Sequence, residues 1–376
     1  MEVAERIRDA GMEPARSLVE QVAQLRAALA RDGVVVADMR RAGSLELQYA
    51  GLGQIDAAGQ GRIAPIEIER LEGPIRARAL AKAPPGNSRL RYFMDGSQRT
   101  FPVLRVGLIP IAATVAVAGI LYRDPAGRPS IAPGTLLLNH AWLVPRRCPD
   151  PQIAALVARL EDQGAAIVDP LEGVEDDDAY CAEAGNYGRM VELAYARAKD
   201  VRTDLEKELI ERWRDELGPA ASGDWLVVDG RLGADAPANA IGLVKSLRTQ
   251  HLAGAEAEAL FGLPQGNRTT AFRYRARRRP GTGADAPSTA STVWYLRLWD
   301  PAGQDARHGL VRVEAGTGVQ SPAQLDQLSA WLLAERIPRA MADARWATLL
   351  YPVHVLEQIL KRRVAAYTLG WAGDRG

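Results

Sequence analysis

Arg91-Tyr92-Phe93-Met94-Asp95-Gly96-Ser97 and, much later in the chain, Trp225-Leu226-Val227-Val228-Asp229-Gly230 have the same grammar. Each is a short apolar run rich in β-branched or aromatic side chains, which suit a pleated and buried surface. Each ends in aspartate followed by glycine. Glycine after the aspartate permits a sharp turn that leaves the carboxylate in an open groove. Asp-Gly is also an ordinary hairpin turn, so neither occurrence decides anything alone. Their order does more. Residues 186–217, between them, read as a long helix rich in Glu, Arg, Leu and Ala that stops at Gly218-Pro219. Parallel strands that end side by side can bring two terminal aspartates into one site, and a glutamate from the crossing helix can complete it. Several carboxylates so placed hold Mg²⁺ or Mn²⁺ for phosphodiester cleavage, where the ions activate water and stabilise the leaving oxygen.

Working outward, the spacing of Leu18, Val22, Leu25 and Leu29 predicts an N-terminal helix with one apolar stripe. That stripe faces either its own core or a dimer or partner contact. Residues 33–90 mix short β-like runs with Gly- and Pro-containing turns, and Ala83-Pro84-Pro85-Gly86-Asn87 marks a turn or linker. Strands are expected at 91–94, 103–115 and 116–122, around 136–138, at 225–229 and 240–246, and as an antiparallel pair at 291–298 and 309–314. Helices are expected at 151–163, 322–335 and 351–366, with Glu175-Asp176-Asp177-Asp178 capping another. Residues 278–288 read as a loop. The division is 1–90 for an N-terminal helix and accessory region and 91–376 for the main domain. Nearly continuous apolar character over 106–121 falls short of the roughly 18 residues of a membrane span. Its Val and Ile content and its internal Gly and Pro suit buried strands.

Composition narrows the class. The chain has 376 residues, 47% hydrophobic and 25% charged, the balance of a globular protein with a sizeable core. A net charge of +1 gives no global field for nucleic acid, so DNA contact requires a local patch. Two cysteines outside any CxxC pair and four histidines without clustering argue against structural zinc, and the thiols suit a reducing cytosol. The first residues have no signal-peptide core. The expectation is a cytoplasmic protein without a membrane segment. Gly51-Leu52-Gly53 lacks the third glycine of a dinucleotide fingerprint, and no Walker A motif occurs.

Several motifs together resemble the NurA nucleases. Phe93-Met94-Asp95-Gly96-Ser97 is similar to that family's first Asp-Gly-Ser motif, and Leu226-Val227-Val228-Asp229-Gly230-Arg231-Leu232 to its second, with Arg231 standing where serine is usual. Ile241-Gly242-Leu243-Val244-Lys245-Ser246 resembles the following strand with its lysine. Gly266-Asn267-Arg268-Thr269-Thr270-Ala271-Phe272, Trp294-Tyr295-Leu296-Arg297-Leu298 and Val311-Arg312-Val313-Glu314 resemble later segments. Tyr351-Pro352 resembles the pair that opens the last helix. The resemblance runs from about residue 91 to about 366. It implies an α/β fold with an RNase H-like mixed sheet flanked by helices.

It also implies Asp95, Glu206 and Asp229 as metal-binding and catalytic carboxylates for Mn²⁺ or Mg²⁺, with Glu192 the rival on the helix, and Lys245 and Tyr351 near the site. The implied activity is DNA cleavage, 5′ to 3′ on ends and endonucleolytic on single strands. A homodimer would act beside a hexameric HerA-type translocating ATPase, in DNA repair or antiviral defence. A histidine usual eight residues after the tyrosine is Ile359 here, which also opens a reading as a weakened DNA-binding subunit; His354 is a candidate substitute ligand. Arg268, Arg273, Arg275 and Arg297 are the candidate DNA contacts. Arg273 and Arg275 belong to a basic run that ends at Arg279 and would share one face of a strand, either touching phosphates or keeping an edge soluble. Lys245, before any resemblance is considered, is either a phosphate contact or a snorkelling surface lysine.

Overall fold

The computed structural model describes residues 17–39, 44–45, 68–80, 88–221, 223–232, 237–245, 247, 251–274, 291–337 and 346–371. In chain order the elements are α1 (Leu18–Arg31), β1 (Ala37–Asp38), β2 (Ile68–Arg70), β3 (Ala77–Ala79), β4 (Leu90–Val106), β5 (Ile109–Arg123), β6 (Pro129–Ile131), β7 (Leu137–Leu143), α2 (Pro151–Asp162), β8 (Ala166–Val168), α3 (Asp177–Gly185), α4 (Tyr187–Arg212), β9 (Trp225–Asp229), β10 (Ala240–Val244), α5 (Gly254–Phe261), β11 (Asn267–Thr269), β12 (Phe272–Tyr274), β13 (Thr292–Arg297), β14 (Leu310–Ala315), α6 (Pro322–Glu335) and α7 (Tyr351–Tyr367). The result is an α/β protein built on one mixed sheet of 14 strands, flanked among the described residues by these helices.

The sheet's main path runs β2-β12-β13-β14-β10-β9-β4-β5-β7-β8. β9 lies between β10 and β4 and is parallel to both, while β4 and β5 form an antiparallel hairpin. The two strands expected at 103–115 and 116–122 are replaced by that hairpin. Its loop is Gly107 and Leu108, and Gly107 adopts φ +54°, as the first residue of a tight hairpin turn requires. No polar break betrayed the turn in the sequence, because β5 is buried on both faces along most of its length.

Residues assigned to an accessory region extend the same sheet: β1 pairs with β4, β2 with β12 and β3 with β11. All four stripe residues of α1 are fully buried in the main core, so the stripe is used internally. Ser17 and Glu20 form a reciprocal capping box at the start of α1. Asp176 caps α3 by accepting from the Ala179 N–H, as its acidic segment suggested. The long helix is regular only to Arg212; a π-helical turn, Trp213–Leu217, and a short helical turn, Gly218–Ala220, carry it to the next strand. None of the described helices is long and apolar enough to cross a membrane.

The sheet separates two cores. On one face Phe93, Val227, Ile241 and Leu243 pack with Val353, Leu356 and Leu360 of α7. On the other, Met94, Leu226 and Val228 pack with Val201, Leu205 and Leu209 of α4.

Candidate functional site

The pairing of β4 with β9 sets the positions of the two aspartates. Met94 stands opposite Val228 in the parallel ladder, so Asp95 and Asp229 are the next residues on adjacent strands. Side chains alternate along a strand. Met94 and Val228 face α4, so Asp95 and Asp229 face α7. The β5 partner of Asp95 is Gly119, and a Cβ built there would lie 3.3 Å from Leu360 Cδ2 of α7. Asp95 is therefore covered by that helix and is only 9% exposed.

Burial and like charge both act on this pair. Burial, then the Asp229 charge, push the Asp95 carboxyl well above the usual carboxylate range; Lys245 and the Gly96 N–H oppose the shift, and the Glu357 charge adds to it. The Gly96 N–H donates to Asp95 Oδ1 at 2.8 Å. Lys245 lies one residue beyond β10, on the same face, and its Nζ donates to Asp229 Oδ2 at 2.7 Å. Lys245 is thus a partly buried ammonium serving the aspartate pair, rather than a lysine snorkelling to the surface.

Glu206 approaches from the opposite side. A Cβ on Gly96 would come within 2.2 Å of Glu206 Oε1. Gly96 faces α4, so the Glu206 carboxylate lies against the bare backbone of β4. This corrects the expected role of that glycine. β4 continues through it to Val106 without a turn, and the missing side chain makes room for a glutamate. Burial raises the proton affinity of Glu206, with Arg202 opposing and Asp229 adding. Arg202 Nε stands 3.5 Å from Glu206 Oε1. The rival Glu192 is exposed on α4 and paired with Arg189, away from the aspartates.

A fourth carboxylate went unnoticed in the sequence. Glu357 of α7 is 9% exposed, and Lys361 Nζ bonds its Oε1 at 2.7 Å. The signal was present: Val353, Glu357, Leu360 and Val364 lie four, three and four apart, so an acid interrupts the apolar stripe of α7. Tyr351 opens α7 and is 55% exposed. His354 is partly buried with its Nδ1 lacking a hydrogen-bond partner, and Ile359 packs against the core.

The arginines divide sharply. Arg268 is fully buried; it pairs with Glu72 at 2.6 Å and Asp326 at 2.7 Å and donates to the Thr269 carbonyl. Arg297 is equally buried and donates to the carbonyls of Leu263, Phe261, Ala306 and His308. Both were expected to touch DNA; both instead neutralise buried acceptors and present nothing to solvent. Arg273 is partly buried and donates to the Thr317 carbonyl at 3.0 Å. Arg275 lies outside the described residues.

Among the described residues no three His, Cys, Asp or Glu side chains already stand at metal-holding spacing. Asp95 and Asp229 form a converging pair, flanked by Glu357 on their own face and Glu206 on the other. Such a pair of hard oxygen donors suits Mg²⁺ or Mn²⁺, which commonly use one or two carboxylates and fill the remaining positions with water and substrate phosphate. A cation between the two carboxylates would offset the repulsion that contributes to raising Asp95. No protein-family model matches the chain, and no curated protein matches it.

Proposed function

We propose that the chain is a metal-dependent DNA nuclease of the NurA type, with Asp95 and Asp229 holding Mn²⁺ or Mg²⁺. The observation that carries this is the level placement of the two aspartates on adjacent parallel strands, backed by the Lys245–Asp229 bond. The resemblance supplies the substrate class, the 5′ to 3′ and single-strand cleavage, the homodimer and the HerA-type motor.

A bound ion of this type supplies positive charge to phosphodiester oxygens and lowers the pKa of water. The chain's own residues prepare that chemistry. Asp95 and Asp229 present oxygen donors from a rigid sheet. Lys245 fixes Asp229 in one orientation and limits the repulsion between the aspartates. Tyr351, exposed at the start of α7, is available to a nucleotide. Glu206 buttresses the β4 backbone from behind, and burial and the Asp229 charge raise its own proton affinity.

The test uses single-stranded DNA and Mn²⁺ with the wild type, Asp95→Ala and Asp229→Ala. Loss of cleavage by at least about a hundredfold in both variants is expected, the scale of an essential catalytic group. Cleavage surviving both substitutions would remove the aspartates from the site. A second reading, a weakened DNA-binding subunit of the same motor complex, is favoured by Ile359, whose side chain packs into the core. It predicts DNA binding without cleavage, even with the ATPase present.

A further inference from the structure

We infer that Glu357 of α7, rather than Glu206 of α4, is the third carboxylate of the ion site formed by Asp95 and Asp229. The inference deepens the nuclease reading and rests on it for the identity of the ion. Three independent facts of placement carry it.

The first is the face of the sheet. Asp95 and Asp229 point toward α7, whereas Glu206 lies against Gly96 on the α4 side. The β4 backbone therefore stands between Glu206 and Asp95. Glu357 needs no such detour, since it belongs to the helix that covers the aspartates.

The second is its level along α7. Gly119, the ladder partner of Asp95, lies directly beneath Leu360. Glu357 is one turn before Leu360 on the same face of the helix, because residues three and four apart are neighbours. The glutamate is thus within about one helical turn of the aspartate's own level.

The third is the cost of leaving a carboxylate there. Glu357 is 9% exposed within a stripe otherwise made of Val353, Leu356, Leu360 and Val364. A leucine would bury more apolar area with no ionic cost. The acid pairs with the half-exposed Lys361 of its own helix at 2.7 Å. That lysine can swing into solvent when a divalent cation arrives.

The experiment measures Mn²⁺ binding to the full chain by the electron paramagnetic resonance signal of free Mn²⁺, without DNA. It compares wild type, Glu357→Gln, Glu206→Gln and Lys361→Gln, with thermal melts to establish folding. Glu357→Gln is expected to weaken Mn²⁺ by at least about tenfold, the loss that follows even from removing a residue that merely orients a ligand. Glu206→Gln is expected to change affinity by less than about threefold, and Lys361→Gln to bind at least as tightly as wild type. If Glu357→Gln does not fold, Glu357→Asp, which draws the carboxylate back by one methylene, is read by the same criterion.

Unchanged affinity in the Glu357 variant overturns the inference, as does a Glu206 loss equal to or larger than the Glu357 loss. An equal loss in Lys361→Gln also overturns it, since the ion pair would then be what matters. Absence of Mn²⁺ binding by the wild type overturns it too. DNA cleavage scored in parallel keeps the two ideas apart. Cleavage with Glu357-independent binding leaves the nuclease reading standing. Glu357-dependent binding without cleavage leaves the ion site standing and removes the nuclease.

Discussion

Asp95 and Asp229 occupy equivalent positions on neighbouring parallel strands, one residue beyond the Met94–Val228 pair. Two carboxylates so close are an electrostatic burden on the folded chain. Burial and the Asp229 charge hold Asp95 well above the ordinary range, so the folded state binds its proton more tightly than the unfolded chain does. The sign follows. Stability from this group is present at low pH and is lost as pH rises from the unfolded value of 3.8 through the raised folded value. Asp95→Asn should therefore stabilise the protein at neutral pH by roughly 1–2 kcal/mol, with the gain vanishing near pH 4. Urea denaturation at several pH values measures it. A destabilised Asp95→Asn at neutral pH would contradict this account.

Gly242→Ala should be costly. A Cβ there would meet the Gly230 carbonyl oxygen at 2.7 Å and the Leu232 nitrogen at 3.0 Å, both backbone atoms. The chain leaving β9 would have to lift away, taking Asp229 with it. A loss of about 1–3 kcal/mol is expected from overpacking, together with loss of DNA cleavage. Chemical denaturation and the cleavage assay should move together.

His140 predicts an acid-sensitive step. Its Nε2 is buried without a hydrogen-bond partner, and its ring lies near those of Trp142 and Tyr367. Burial lowers its pKa from 6.5 to about 4. The unfolded chain takes up a proton first on acidification, so stability falls between pH 6.5 and about 4. The loss is up to about 3 kcal/mol. His140→Phe should flatten that slope, and a wild-type slope retained in the variant would assign the loss to other groups.

Arg268→Ala separates structure from recognition. Removing the guanidinium strands the buried Glu72, whose side chain is 6% exposed, and one partner of Asp326. A destabilisation of about 3–5 kcal/mol is expected for breaking a buried pair from one side. Measured on folded protein, the salt dependence of DNA affinity should not change, because no phosphate contact is lost. A shallower salt slope would return Arg268 to the DNA interface.

Much of the fold was legible because apolar periodicity is a direct imprint of burial. The stripe of α1, the strands β9, β13 and β14, and the helices α2, α6 and α7 fell where spacing and caps put them. The hairpin of β4 and β5 did not, because strands buried on both faces leave no alternation and the two-residue turn is half leucine. The aspartates were legible from the apolar runs that precede them, although only Asp229 ends its strand, since β4 runs on through Asp95 to Val106. Which side of the sheet each carboxylate would occupy was not, since that depends on which helix covers which face. Glu357 was visible as a flaw in an apolar stripe but had no meaning until α7 was seen above Asp95. The buried arginines were misjudged because charge in a sequence suggests solvent, whereas Glu72 and a ring of carbonyls give Arg268 and Arg297 interior partners.

The alternation along β4 has one more effect. Its apolar residues face both cores, so pairing with β9 one position out would still bury hydrophobic surface on each side. It would also send Asp95 to the helix behind the sheet and turn Gly96 toward Lys245. Such a misaligned chain would look folded to circular dichroism or a protease. The aspartate pair is thus an internal gauge of assembly: cation binding would report that β4 has docked in the right frame, which bulk measures of folding would miss.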